Sequence, residues 1–173
     1  MKYMFYITMF TVLIFGQTPI KDDSQFVTKN LKVEGNVIEK MVFDLEKIMQ
    51  LPQFHSNKQS VVCMSGDIKS HPMTYTGVLL KDILDVAKIK IDDKRDMNEM
   101  YVIIQASDGY KALFSYHEIY NTPNGEKIVL YYKKEDQLLG SEEGDFALIS
   151  LNDTKNGPRH VKWVDKIIVK SDR

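Results

Sequence analysis

The alternation of apolar and polar positions marks out most of the elements. From Phe26 to Glu34, Val27, Leu31 and Val33 fall on one face. Thr28, Asn30, Lys32 and Glu34 fall on the other, which predicts a half-buried strand turned by Glu34-Gly35-Asn36. Asp44 is placed to cap a short helix in which Leu45, Ile48 and Met49 share a face, and Pro52 stops it. Val61-Val62-Cys63 is a short apolar run, expected to be a buried strand that runs into a loop, Met64-Ser65-Gly66-Asp67. After Gly77, the residues Leu80, Ile83, Leu84 and Ala87 recur at i, i+3, i+4 and i+7, the spacing of one helix face.

Further along, Asp92 to Glu99 is a charged stretch and reads as a surface loop. Tyr101 to Ala106 reads as a strand, with a turn at Ser107-Asp108-Gly109. Ser115 and Glu118 have capping-box spacing for another short helix. Ile128 to Tyr132, Phe146 to Leu151 and Val161 to Val169 read as further strands, the last with Ile167 and Val169 inward and Lys166 and Lys170 outward. Asn156-Gly157-Pro158 reads as a turn. Strands outnumber helices, the helices are short and no βαβ rhythm appears. The expected fold class is α+β, a mixed, β-rich domain with short helices.

The N-terminus changes the domain count. Lys2 is followed by an uncharged run, Met4 to Phe15, too short for the roughly 20 residues that cross a bilayer but of signal-peptide length. Residues 1–17 are read as a signal peptide, with an uncleaved anchor as the alternative, and 18–25 as a polar lead-in. One domain over 26–173 follows, destined for the periplasm or secretion, with no stable membrane insertion after cleavage. Charged residues make up 27% of the chain and the net charge is −1, so a basic nucleic-acid surface is not expected.

There is a single cysteine, Cys63. A lone thiol in an exported protein has no internal disulfide partner, so it is buried and inert, paired with something outside the chain, or bound to something. His55, His71 and His117 show no metal-ligand spacing and read as surface residues. Trp163, the only tryptophan, reads as a core residue with its N–H satisfied.

The order of segments resembles the oxidoreductase molybdopterin-binding domain of the sulfite oxidase family. The resemblance runs from about Phe26 to Val169. It rests on a strand and Gly turn (Leu31 to Val37), Leu51-Pro52, and a strand ending in Cys63 with Gly66 soon after. It continues through Thr76 to Leu84 (TGVLLKDIL), similar to W-x-GV-x-L-x-DLL, and Ala106 to Ile119, similar to an S-x-DGY segment. Gly157 to Val169 (GPRHVKWVDKIIV) is similar to R-x-x-KWV-x-x-I. Two positions depart from the pattern. Tyr75 stands where the family carries Trp, and Glu143-Gly144-Asp145-Phe146 stands where a Gly, Pro and basic residue are expected.

The resemblance implies the sulfite oxidase-type fold and a molybdenum-molybdopterin cofactor. It assigns Cys63 as the thiolate ligand of the metal, a soft donor suited to it. Arg159 and Lys162 are implied to bind the cofactor's pterin or phosphate, with His160 a weaker candidate, and Tyr110 to line the substrate side as the catalytic candidate. Asp108 and Gly109 read as turn residues. The implied activity is oxygen-atom or electron transfer on a small-molecule substrate. No haem-binding segment is read in the sequence, so electrons would pass to a separate electron-transfer protein. Two other readings stay open: a non-enzymatic binding module on the same scaffold that has lost the cofactor, and a redox or sensor protein using the Cys63 thiol.

Overall fold

The computed structural model describes residues 23–172; the expected signal peptide lies outside them. After a 3-10 turn at Ser24–Phe26 come ten strands and four short helices. Strands β1 (Leu31–Gly35), β2 (Met41–Phe43), β5 (Met100–Ala106), β6 (Lys111–Ser115) and β10 (Val164–Ser171) form one five-stranded sheet in the order β2-β1-β10-β5-β6. Its β1–β10 pair is parallel and its other pairs are antiparallel. The second sheet joins β3 (Phe54–His55), β4 (Tyr75–Leu79), β7 (Ile128–Lys134) and β8 (Gln137–Leu138), with β9 (Ala147–Ser150) also paired to β7.

The helices are α1 (Leu45–Met49), α2 (Leu80–Ala87), α3 (Asp96–Glu99) and α4 (Tyr116–Tyr120). The expected caps are present: Asp44 Oδ1 accepts the Lys47 N–H at 2.9 Å, and Ser115 Oγ accepts the Glu118 N–H at 3.1 Å. Leu80, Ile83, Leu84 and Ala87 are all buried, which ties α2 to the core by roughly 1.5–3 kcal/mol for each large side chain. That core also takes Leu31, Val33, Val102, Ile104, Phe114 and Ile167 from the first sheet. The second sheet is covered on both faces. Ile128, Leu130 and Tyr132 point into the main core, whereas Val129 and Tyr131 meet Tyr75, Ala147 and Ile149 in a second cluster.

Several sequence expectations are corrected. The first strand begins at Leu31 rather than Phe26, because Ser24–Phe26 makes a 3-10 turn and Phe26 packs on Trp163 at 5.4 Å. Met49 is exposed, so only Leu45 and Ile48 of α1 face inward. Val61 to Cys63 is not a buried strand but a half-buried extended segment with one bridge, Val62 to Ile68. The final strand starts at Val164, because Trp163 adopts φ 49°, a left-handed conformation that breaks the extended chain. The stretch Asp92 to Glu99 contains the short helix α3.

Candidate functional site

Cys63 sits at the mouth of a small hairpin. Its N–H donates to Asp67 O and its carbonyl accepts from Gly66 N, both at 2.9 Å. Gly66 holds φ +95°, which closes the turn. Met64 to Lys69 are exposed, while Cys63 is half-buried and free of any disulfide. The Asp67 carboxylate accepts the Ser65 hydroxyl at 2.7 Å.

What holds this hairpin comes from the other end of the chain. The buried Asn156 accepts the Val62 N–H through Oδ1 at 2.8 Å and donates through Nδ2 to Ser60 O at 3.0 Å. Next to it, Gly157 N donates to Val62 O at 2.8 Å. A Cβ at Gly157 would stand 2.8 Å from that same oxygen and 3.3 Å from Cys63 Cα, so the approach requires glycine. The turn expected at Asn156-Gly157-Pro158 is therefore also a clamp on the cysteine loop. The sequence showed the turn; the partner lies too far along the chain to be read from it.

The other candidates gather around the same turn with different roles. The Tyr110 hydroxyl donates to Pro158 O at 2.7 Å, and the residue is 46% exposed. Asp108 Oδ1 accepts the Tyr110 N–H at 2.9 Å and Gly109 holds φ +91°, as a tight turn needs. Arg159 turns towards the protein. Its Nε donates to Asp153 Oδ2 at 2.7 Å, its Nη1 meets Glu118 Oε1 at 2.7 Å, and its guanidinium lies 4.3 Å over the Phe114 ring. Burial works against its charge, and the two carboxylates outweigh that and raise its pKa. These contacts make Arg159 a structural tie, with its fork already filled by carboxylates.

Lys162 lies instead in a cleft of about 250 Å³. Val61, Lys69, Tyr75, Lys134, Glu143 and His160 share its walls. Lys162 does not face away from Trp163, as a regular strand would require: its Nζ stands 5.8 Å from the indole centroid, because the chain is irregular there. Trp163 is 8% exposed and its indole N–H donates to Ser141 O at 2.7 Å, the packed role expected of it. At the cleft's floor the His160 ring bonds the Tyr131 hydroxyl at 2.7 Å. Burial pushes the imidazole pKa down to about 4, against the pull of Glu143, so it is neutral at pH 7. Burial likewise holds the Tyr131 phenol well above its usual range. Glu143 is 7% exposed and pairs with Lys134 at 2.8 Å.

A sequence model of the oxidoreductase molybdopterin binding domain matches residues 16–173. The chain belongs to that family. A solved structure with this fold is the sulfane dehydrogenase SoxCD from Paracoccus pantotrophus, with a TM-score of 0.61 and 19% identity. The likeness covers 83% of this chain and 39% of that one, so this family member spans well under half of the neighbour's length. No curated protein matches the chain.

The residues fit the family's cofactor at two places. An unpaired thiol stands at the base of an exposed hairpin, where it could offer a metal a soft thiolate donor. The amines of Lys69, Lys134 and Lys162 line the adjoining cleft, where a phosphate would need cations. Among the described residues no cluster of three or more His, Cys, Asp and Glu side chains is arranged for a metal.

Proposed function

We propose that this chain is an exported oxidoreductase that uses a molybdenum-bearing molybdopterin for oxygen-atom or electron transfer on a small substrate. The observation that carries the reading is the seating of Cys63, on an exposed hairpin clamped by Asn156 and Gly157. Val61 and Lys69, on the two arms of the hairpin, line the lysine-bearing cleft, so the Cys63 loop stands at its edge. The thiolate ligates the metal. Lys162, with Lys69 and Lys134, meets the phosphate, and Arg159 acts only by fixing the turn that holds the clamp. Neutral His160 and the Tyr131 hydroxyl close the floor without adding charge. Tyr110 borders the substrate side. The cofactor supplies the two-electron redox chemistry, and a separate electron-transfer protein exchanges the electrons.

Export rests on the apolar run from Met4 to Phe15. Among the described residues no helix is long and apolar enough to cross a membrane. N-terminal sequencing of the protein from a periplasmic fraction tests it; a cytoplasmic product that keeps Met1 overturns it.

The decisive experiment is the metal content of protein made in a host that synthesises molybdopterin. A molybdenum-to-protein ratio near one, lost in Cys63→Ser, is expected. A ratio near zero in folded protein overturns the enzyme reading. One observation favours the other reading, a binding module without the cofactor: a buried carboxylate, Glu143, already occupies two of the three lysines that a phosphate would use.

A further inference from the structure

Among the described residues, Glu143 is the one charged side chain that is buried. A carboxylate withdrawn from water costs several kcal/mol unless cations and donors replace its hydration. Here two lysines do so. Lys134 Nζ lies 2.8 Å from Oε2 and Lys162 Nζ 4.0 Å from Oε1. Both lysines also line the cleft at the base of the Cys63 hairpin, so two of its three lysines already hold an anion supplied by the protein.

The pair is also a partition. On its far side lies a second depression of about 370 Å³, which shares Lys134, Glu142 and Glu143 with the first. Small-molecule pockets run from about 300 to 1,000 Å³, so the smaller cleft falls short of that range alone and the two joined fall well inside it. The backbone of Glu143 is pinned on both sides. Its N–H donates to Gly140 O at 3.1 Å, its carbonyl accepts from Trp163 N at 2.7 Å, and Gly144 follows at φ +80°. Only the side chain is free to leave, and it has the second depression to turn into.

We propose that Glu143 is an internal counter-anion that sets the anion affinity of the cleft. A tetrahedral oxyanion binds only by displacing its carboxylate from Lys134 and Lys162, and in doing so joins the two depressions. The proposal deepens the cofactor reading, since the phosphate of a pterin and a free oxyanion share this chemistry. The carboxylate keeps the two lysines placed and shielded until an anion arrives.

The test needs neither metal nor cofactor. Trp163 is the only tryptophan, and it touches both partners, through Glu143 O and the Lys162 ammonium. Inorganic phosphate, and separately sulfate, are titrated at constant ionic strength into wild type and Glu143→Gln, with indole fluorescence as the readout. Glu143→Gln is expected to bind at least tenfold more tightly, and adding Lys162→Met should remove the gain. Equal affinity in the two proteins, or no binding by either, overturns the proposal. If the glutamine variant does not fold, Glu143→Asp carries the comparison. Its carboxylate is one methylene shorter, so a severalfold rise in affinity is expected and an unchanged affinity refutes the idea.

A second arm separates the sources of the anion. Bound pterin is released and counted per protein after expression with molybdopterin synthesis active. Higher pterin occupancy in Glu143→Gln than in wild type assigns the latch to the cofactor's phosphate. Unchanged occupancy beside the tighter phosphate and sulfate binding assigns it to a free oxyanion. Because the fluorescence arm is independent of Cys63 and of metal, its failure and failure of the cofactor reading are distinguishable.

Discussion

Asn156 accepts the backbone N–H of Val62 at 2.8 Å across 94 residues of sequence, and this is the bond that positions the cysteine loop. Its other amide group donates to Ser60 O, so one side chain replaces two rungs of a missing strand. Asn156→Ala leaves both main-chain groups short of a partner and should cost about 2 kcal/mol, less than in a dry core because Ser60 and Val62 are only half-buried. Denaturant unfolding reads that loss. Alkylation of Cys63 in the folded variant should be several times faster than in wild type. An unchanged alkylation rate would separate the clamp from the thiol.

Arg159→Lys should lower stability by about 2 kcal/mol. A single ammonium cannot bridge Asp153 and Glu118 and also stack on Phe114. Phosphate affinity of the cleft should stay within twofold of wild type, because the guanidinium faces protein carboxylates. A large loss of phosphate affinity with unchanged thermal stability would restore Arg159 to the cofactor site.

His160 gives a pH dependence of definite sign. Its folded pKa is about 4, below the ordinary value of 6.5, so between those values the unfolded chain binds more protons. Stability from this residue is complete above about pH 6.5 and falls as pH drops towards 4, by at most about 3 kcal/mol. Unfolding free energies measured from pH 7.5 to 4 should show a shallower decline in His160→Gln, which keeps a partner for Tyr131. Parallel declines in the two proteins would exclude His160 as the cause.

Gly77→Ala should abolish folding or cost more than about 4 kcal/mol. Its Cβ would lie 2.0 Å from Leu130 O and 2.5 Å from Tyr131 Cα, atoms of the β7 backbone that cannot step aside. Circular dichroism and solubility of the variant decide this. A folded, soluble protein with wild-type stability would contradict the strand contact.

The glycine also shows where sequence reading stops. The apolar spacing of α2 and the caps at Asp44 and Ser115 were legible, because each signal lies within a few residues. The strand β4 was hidden, because it is buried on both faces and runs straight into α2, so no period of two appears. β2 and β3 have three and two residues, too short to show a pattern. In the candidate site, Cys63, Tyr110 and Lys162 were nameable from the ordered motifs. The clamp by Asn156, the filling of Arg159 by Asp153 and Glu118, and the burial of Glu143 depend on partners brought together only by the fold.

The parallel pairing of β1 with β10 sets the order in which this domain becomes a protein. β10, the last strand in chain order, is the centre of its sheet, flanked by β1 and β5. Until it is made, Leu31 and Val33 on one side and Val102 and Ile104 on the other have no strand between them. Nothing synthesised earlier can close that sheet, so the nascent chain stays open for nearly its whole length. Such pairing makes folding slow. It also keeps the two halves of this sheet, and the core residues they carry, from meeting until the last strand is in place.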